Sequence, residues 1–368
     1  MKRIVFFLFF CFFFLYNNVA AKADAAAAAI IDAKTGRILY ATNETEELPM
    51  ASTTKIMTAL LAIENCGLDE MVTAGENAFG VPGTSIYLEK GERLSMGDML
   101  YGLMLASGND AAVVIAEHVG GTAEHFCDMM NARAQQLGCT HTHYLTPHGL
   151  PAVEHYTTAL ELCLIAREAM RYPFFRQVVS TQRATIPWQG HEYDRVLNNK
   201  NKLLATFPGA FGIKTGYTKA AGRCLAFAAE RDGMTLIGAV LNRPEWFYES
   251  AALLEQAFQE YHLYTALKAG EIVNRLPVIN GVFDGVDLIT AEALSAPLQK
   301  EETAEISFRW PQSLSAGFEK GDVVGSAALL VNGQQLASVP LIAAEGVAER
   351  SFQYGARRAA ENWLLLAE

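Results

Sequence analysis

Hydrophobic residues change period several times along this chain, and each change predicts an element. After Met1-Lys2-Arg3 comes an almost unbroken apolar run, residues 4–15. Residues 25–32 and 37–42 are apolar on either side of Ala33-Lys34-Thr35-Gly36, which reads as a hairpin. Ile56, Met57, Leu60, Leu61 and Ile63 then recur at helical spacing, predicting an amphipathic helix to about Cys66-Gly67 with Ser52 as its N-cap. Residues 69–95, with Gly80, Pro82-Gly83 and Gly91, read as loops with short elements. Residues 96–118 are helical in character but interrupted, since apolar positions precede and follow Ser107-Gly108-Asn109-Asp110. A buried polar break is costly unless hydrogen-bonded, so it marks either a purpose or a plain corner between two helices. Residues 123–137 and 157–171 read as further helices, the second broken by Pro173.

Strands follow. Residues 178–188 and 192–197 lie on either side of Gly190, and residues 210–213 lead into Lys214-Thr215-Gly216-Tyr217-Thr218. Residues 223–230 and 234–241 flank Arg231-Asp232-Gly233, a strong hairpin signal, and residues 250–263 read as a helix. Helices enclosed between an opening hairpin and closing strands predict an α+β domain, residues 24–265. From about Lys268 the pattern becomes short and alternating: 272–278, 286–289, 305–309, 323–332 and 335–342, with Asn332-Gly333 as a hairpin turn. This predicts a smaller all-β domain, residues 268–346. The tail, 347–368, ends in Trp363-Leu364-Leu365-Leu366 and reads as a helix that either contacts a membrane surface or packs on the domain.

Composition narrows the picture. A chain of 368 residues suggests two domains, and a net charge of −11 argues against nucleic acid as a partner. The basic start, the apolar run and Ala21-Lys22-Ala23 together read as a secretory signal peptide, residues 1–23, so the mature protein is expected to be exported. Cys66, Cys127, Cys139, Cys163 and Cys224 are odd in number and scattered; a Cys127–Cys139 disulfide is conceivable, but buried free thiols fit better. His141, His143, His148 and His155 crowd one segment without any zinc-ligand spacing, and no metal is expected there.

Candidate chemistry starts at Ser52. Lys55, three residues on, shares its helix face, putting an amine beside a hydroxyl that needs a base to become a nucleophile. Alone, Ser-x-x-Lys is a weak motif, better read as a capped helix with a solvated lysine. It gains weight from company, because Ser107-Gly108-Asn109 and Lys214-Thr215-Gly216 follow in order on an exported α+β chain. Lys34-Thr35-Gly36, which precedes Ser52 in the first hairpin, reads as a turn only.

With residues 94–112, T-P-H-G-L at 146–150, H-Y-T-T-A at 155–159, K-G-D-V-V-G at 320–325 and V-P-L-I-A-A at 339–344, the chain closely resembles the low-molecular-mass penicillin-binding proteins that are serine-type D-alanyl-D-alanine carboxypeptidases. The similarity runs through nearly the whole mature chain. It implies a β-lactamase/transpeptidase-like catalytic domain and an accessory β domain, with no cofactor. It implies Ser52 as the acylated nucleophile, Lys55 as its base, Ser107 as proton relay to the leaving amine, and Asn109 as orienter of the peptide carbonyl. Lys214 and Thr215 would bind the substrate carboxylate, Gly216 would leave room for the acyl chain, and the N–H groups of Ser52 and Tyr217 would form the oxyanion hole. Arg243 is a further candidate for the carboxylate.

The partners implied are peptidoglycan stem peptides ending in D-Ala-D-Ala and β-lactam antibiotics, in the cell envelope. Asp194-x-x-Leu197-Asn198 only faintly matches the deacylating motif of class A β-lactamases, so penicillin is expected to acylate Ser52 and leave slowly. The alternatives are a β-lactamase or D-stereospecific esterase on the same fold, or an inactive stem-peptide-binding wall protein.

Overall fold

A computed structural model describes residues 26–352, 354–357 and 360. The predicted signal peptide and Trp363-Leu364-Leu365-Leu366 lie outside the described residues. An antiparallel five-stranded sheet carries the first domain, in the order Ile38–Thr42, Ala27–Asp32, Met234–Leu241, Gly222–Arg231, Ala210–Thr218. Its interior strands are covered on both sides. Ala27, Ala29 and Ile31 join a helical core on one face, while Ala28 and Ile30 join a smaller core on the other. Burial of both faces is why these strands read as continuous apolar runs.

The first face is packed by α1 (Lys55–Asn65), α2 (Met96–Tyr101), α3 (Asn109–Gly120), α4 (Ala123–Gln136), α5 (Ala159–Ala169) and α6 (Pro173–Ser180). The second takes Leu203 of α7 (Leu203–Thr206) and Leu254 and Ala257 of α8 (Trp246–Glu260). This is the expected α+β architecture. At the closing hairpin Arg231 pairs with Met234, and Asp232 and Gly233 both have positive φ, 51° and 77°, as a two-residue turn of that twist requires.

Two elements depart from expectation. Residues 178–180 belong to α6: Pro173 starts this helix as well as ending the previous one, because a first-turn residue needs no N–H partner. Phe175, Val178 and Val179 are its buried stripe, and the strand is shorter, Arg183–Ile186. The last helix ends at Glu260 instead of Leu263, and Tyr261–Leu267 is a strand paired with Leu294–Gln299. Tyr261 and Leu263 fit either period, and a pairing partner well along the chain decides.

The second domain is a six-stranded sheet in the order Ala304–Arg309, Val323–Val331, Gln334–Ala343, Gly285–Thr290, Ile272–Ile279, Leu314–Ser315. Asn332 and Gly333 make its hairpin turn with φ of 51° and 76°. The strands Leu294–Gln299 and Leu314–Ser315 were not legible in the pattern. Lys34, in the first hairpin's turn, reaches this domain through bonds from Nζ to the Ala293 carbonyl (2.7 Å) and Ser295 Oγ (3.1 Å). Lys34-Thr35-Gly36 is thus a turn and a docking point. All five described cysteines are free. In the tail, residues 352, 354–357 and 360 are helical, and the Tyr354 hydroxyl donates to the Val282 carbonyl at 3.2 Å. No described helix is long and apolar enough to cross a membrane.

Candidate active site

Ser52 does not cap the long helix. It lies inside a 3-10 turn, Ala51–Thr54, that runs straight into α1, whose N-cap is Thr54. Ala51 enters the turn at φ 48°, a left-handed conformation costly for a residue with a Cβ, so the surroundings must hold it. Thr53 Oγ1 donates to the Met50 carbonyl at 2.6 Å and Thr54 Oγ1 to the Ala51 carbonyl at 2.8 Å.

His155 completes the clamp. Its Nδ1 accepts from the Leu145 N–H at 3.0 Å, which puts the ring proton on Nε2, 2.8 Å from Thr54 Oγ1. Burial lowers the His155 pKa to about 4, so the ring is neutral at ordinary pH. The 146–150 segment lies beneath the turn: a Cβ on Gly149 would stand 1.9 Å from the Ala51 carbonyl oxygen, so only glycine fits.

Lys55 is fully buried, with Nζ 3.1 Å from Ser52 Oγ, 2.7 Å from Asn109 Oδ1 and 2.7 Å from the His148 carbonyl oxygen. Its pKa is pushed well below the ordinary lysine value, first by burial, then by the positive charges of Lys214 and Lys200, with Asp110 opposing. A neutral amine has two N–H bonds and one lone pair. Two of its three neighbours are carbonyl-type oxygens that can only accept, so the lone pair is left for the Ser52 hydroxyl.

The polar break between α2 and α3 supplies the opposite side. After α2 the chain widens into a π-helical turn, Gly102–Ala106, and Ser107 ends it at φ 65°. Asn109 is held from both sides, its Oδ1 accepting from Lys55 and its Nδ2 donating to the Pro82 carbonyl at 2.6 Å. Buried Asp110, which the sequence did not single out, accepts from Ser85 Oγ (2.6 Å) and from the N–H groups of Ile86 and Leu88 (3.1 Å), tying the 84–88 loop to α3. The break is therefore satisfied, as its burial demands.

The edge strand Ala210–Thr218 faces this turn. A Cβ on Gly216 would lie 2.9 Å from the Ser52 nitrogen and 3.0 Å from the Met50 carbonyl, so glycine here makes room for the backbone of the Ser52 turn. Lys214 is 1 % exposed, with Nζ bonded to the Thr215 carbonyl at 3.0 Å; burial, then Lys200, lowers its pKa to about 7.

Between the two sides opens a cleft of about 760 Å³, lined by Ser52, Ser107, Asn109, Thr215, Gly216 and Tyr217, with Lys55 and Lys214 behind its surface. Lys200, Lys202, Arg223 and the aromatic run Trp246-Phe247-Tyr248 also line it. Of these the sequence placed only Arg223 in an element, the strand 223–230, and the predicted helix 250–263 began after the aromatic run. Arg243 is not brought to the cleft: its guanidinium pairs with Glu249 at 3.4 Å, and Arg223 occupies the lining instead. The histidine-rich segment is structural, with His155 and His148 both hydrogen-bonded within the fold.

A serine backed by a buried amine of depressed pKa, facing a lysine-bearing strand edge across a cleft, defines a serine acyl-transfer enzyme. The chain belongs to the D-alanyl-D-alanine carboxypeptidase family, whose pattern matches residues 16–245, and residues 261–349 match the C-terminal domain of penicillin-binding protein 5. It is accordingly a serine peptidase of the D-alanyl-D-alanine carboxypeptidase type.

D-alanyl-D-alanine carboxypeptidase DacF of Bacillus subtilis is 31% identical over 92% of this chain and 90% of its own length. DacC of Escherichia coli is 32% identical over 89% and 86%. Among solved structures, penicillin binding protein 5 from Haemophilus influenzae superposes with a TM-score of 0.71 at 28% identity, covering 88% of this chain and 97% of that one. The Streptomyces K15 DD-transpeptidase superposes at 0.59 with 32% identity, over 63% of this chain and 96% of its own. The smaller coverage matches the first domain's share of the chain.

Proposed function

We propose that this enzyme removes the terminal D-alanine from peptidoglycan stem peptides through an ester on Ser52. The observation that carries the reading is the Lys55 amine, buried and held by two acceptor oxygens with its third position at Ser52. The Ser52 hydroxyl gives its proton to Lys55 as Oγ attacks the carbonyl of the penultimate D-alanine. The N–H groups of Ser52 and Tyr217 hold the oxyanion. Collapse breaks the C–N bond, and a proton passing through Ser107 leaves with the amine of the released D-alanine. Water then cleaves the ester. Asn109 positions the acyl carbonyl, and Thr215, in the field of Lys214 and Lys200, takes the substrate carboxylate.

β-Lactams are proposed to enter the same path and stop at the ester. Among the described residues lining the cleft the one carboxylate is Glu245, at the N-cap of α8, and Asp194 is solvent-exposed. On this reading neither serves as a dedicated deacylating base. The leader, residues 1–23, supports export to the cell envelope, and contact of the tail with the outer face of the membrane is proposed as peripheral. Fractionation of full-length and tail-truncated protein tests that contact: equal release of both into the soluble fraction would rule it out.

Incubation of the mature protein with labelled penicillin, then with diacetyl-Lys-D-Ala-D-Ala, tests the catalytic reading. Persistent label on Ser52 with D-alanine release is expected. Rapid penicillin turnover would mean a β-lactamase, and label without release of D-alanine would mean a stem-peptide binder.

A further inference from the structure

We infer that Cys66, Glu70 and His118 form a zinc site on the first domain, separate from the Ser52 cleft, that joins the end of α1 to the end of α3. The Cys66 Sγ, a Glu70 carboxylate oxygen and a ring nitrogen of His118 lie within 4.8 Å of one another. A tetrahedral ion with bonds of about 2.0–2.3 Å holds its ligand atoms roughly 3.3–3.8 Å apart, so small side-chain rotations close the set. Thiolate, imidazole and carboxylate together suit zinc; calcium and magnesium want oxygen alone.

The donors come from two segments that are already fixed, the 66–70 turn that follows α1 and the last turn of α3. Cys66 caps α1, its N–H donating to the Ala62 carbonyl at 3.0 Å. The loop bearing Glu70 is bonded to the start of α2, with Met96 N–H on the Glu70 carbonyl and Gly97 N–H on the Leu68 carbonyl, both 2.8 Å. The Glu70 carboxylate is itself oriented: Oε2 accepts from the Gly67 N–H at 3.3 Å while Oε1 faces His118 Nε2 at 2.8 Å. The bond from the Gly67 N–H is an outer one, of the kind that aims a ligand at a metal.

Two helix ends strengthen the case. Cys66 ends α1 and His118 sits in the last turn of α3, so the partial negative charges of two C-termini converge on the place a cation would occupy. An exposed Glu70–His118 ion pair alone contributes little and leaves the neighbouring thiol without a role. On binding, the Cys66 thiol releases its proton to solvent as the S–Zn bond forms, His118 coordinates as the neutral ring through Nε2, and a water takes the fourth position. Lys55 begins α1 and Asn109 begins α3, roughly 16 and 14 Å along their helices from the ion. The ion would therefore hold the helical wall together without touching the chemistry.

The test uses mature protein freed of metal by a chelator, titrated with zinc against a chromophoric chelator and, separately, with cobalt. One zinc per chain, a near-ultraviolet thiolate-to-cobalt band and a rise in Tm of roughly 5 °C are expected. Cys66→Ser and His118→Ala should each weaken zinc at least about tenfold and abolish the rise in Tm, and Cys66→Ser should lose the cobalt band. Metal-free Cys66→Ser should react with penicillin at the metal-free wild-type rate, which shows that the variant is folded. Wild-type zinc affinity in Cys66→Ser, or no stoichiometric binding by the wild type at micromolar zinc, would overturn the proposal.

Discussion

The two sides of the cleft each bury a lysine, and they treat it differently. On the helical side, Lys55 Nζ is surrounded by the Ser52 hydroxyl, the Asn109 amide oxygen and the His148 carbonyl. On the strand side, Lys214 Nζ bonds the Thr215 carbonyl, one residue away in its own strand. Both pKa values are lowered by burial first; Lys55 then feels Lys214 and Lys200, whereas Lys214 feels Lys200. Under the proposed mechanism the same residue type is a base on one side and an anion-attracting charge on the other. What separates the roles is the set of neighbouring oxygens and the positive charge of Lys214 acting on Lys55.

Experiments can break this comparison, beginning with the largest effect. Ser52→Ala should abolish penicillin labelling and lower D-alanine release by about 10⁴-fold or more, read by intact-mass spectrometry and amino-acid release. Next, Lys55→Arg places a permanent charge where a lone pair is needed and should slow acylation by roughly 10²–10⁴-fold. If acylation survived that change, Lys55 would not be the base.

Gly216→Ala should come third. Its Cβ meets the Ser52 nitrogen at 2.9 Å, and the resulting shift of the turn should cost about 10²-fold in acylation. Unchanged rates would show that the turn can yield.

The pH dependence sharpens the contrast between the lysines. Lys55 acts unprotonated, so activity falls as pH drops through its depressed pKa. Lys214 attracts the carboxylate only when charged, so activity falls again as pH rises past about 7 in the free enzyme. Lys214→Gln should remove the alkaline limb and move the acid limb upward, because Lys55 loses its largest cationic neighbour. A kcat/KM profile unchanged in shape would break the link.

Stability takes the opposite sign to that alkaline limb. Folded Lys214 titrates near 7 and an unfolded lysine near about 10.4, so in that window the unfolded chain holds the extra proton and stability rises with pH. The smallest effect belongs to Arg243→Ala, expected to change acylation less than about 3-fold because its charge is on Glu249, while Lys200→Ala weakens carboxylate substrates about 10-fold.

Much of this was legible in order along the chain. The apolar runs 25–32 and 234–241 announced strands, and Asp232-Gly233 and Asn332-Gly333 announced hairpins, because a positive φ at consecutive positions is a local demand. Ser52-x-x-Lys55 put two groups on one turn for the same local reason. Errors fell where a distant partner chose between periods. Tyr261–Leu267 is a strand because Leu294–Gln299 lies beside it, and Pro173 starts α6 because Phe175, Val178 and Val179 have a core to enter.

The site divides likewise. Residue types and their order were determined by the sequence itself: a nucleophile with an amine one turn away, a polar break inside an apolar helix, and a lysine on a strand. Only the tertiary structure decided that the amine's pKa is depressed, since that depends on burial and on Lys214 and Lys200, 159 and 145 positions away. It also decided that Ser52 sits in a strained turn and not at a helix cap, that Arg223 replaces Arg243 in the lining, and that Cys66, Glu70 and His118 meet. Periodicity and turn chemistry act between neighbours in sequence, whereas electrostatics and packing act through space, and the chemistry of this cleft depends on the second kind.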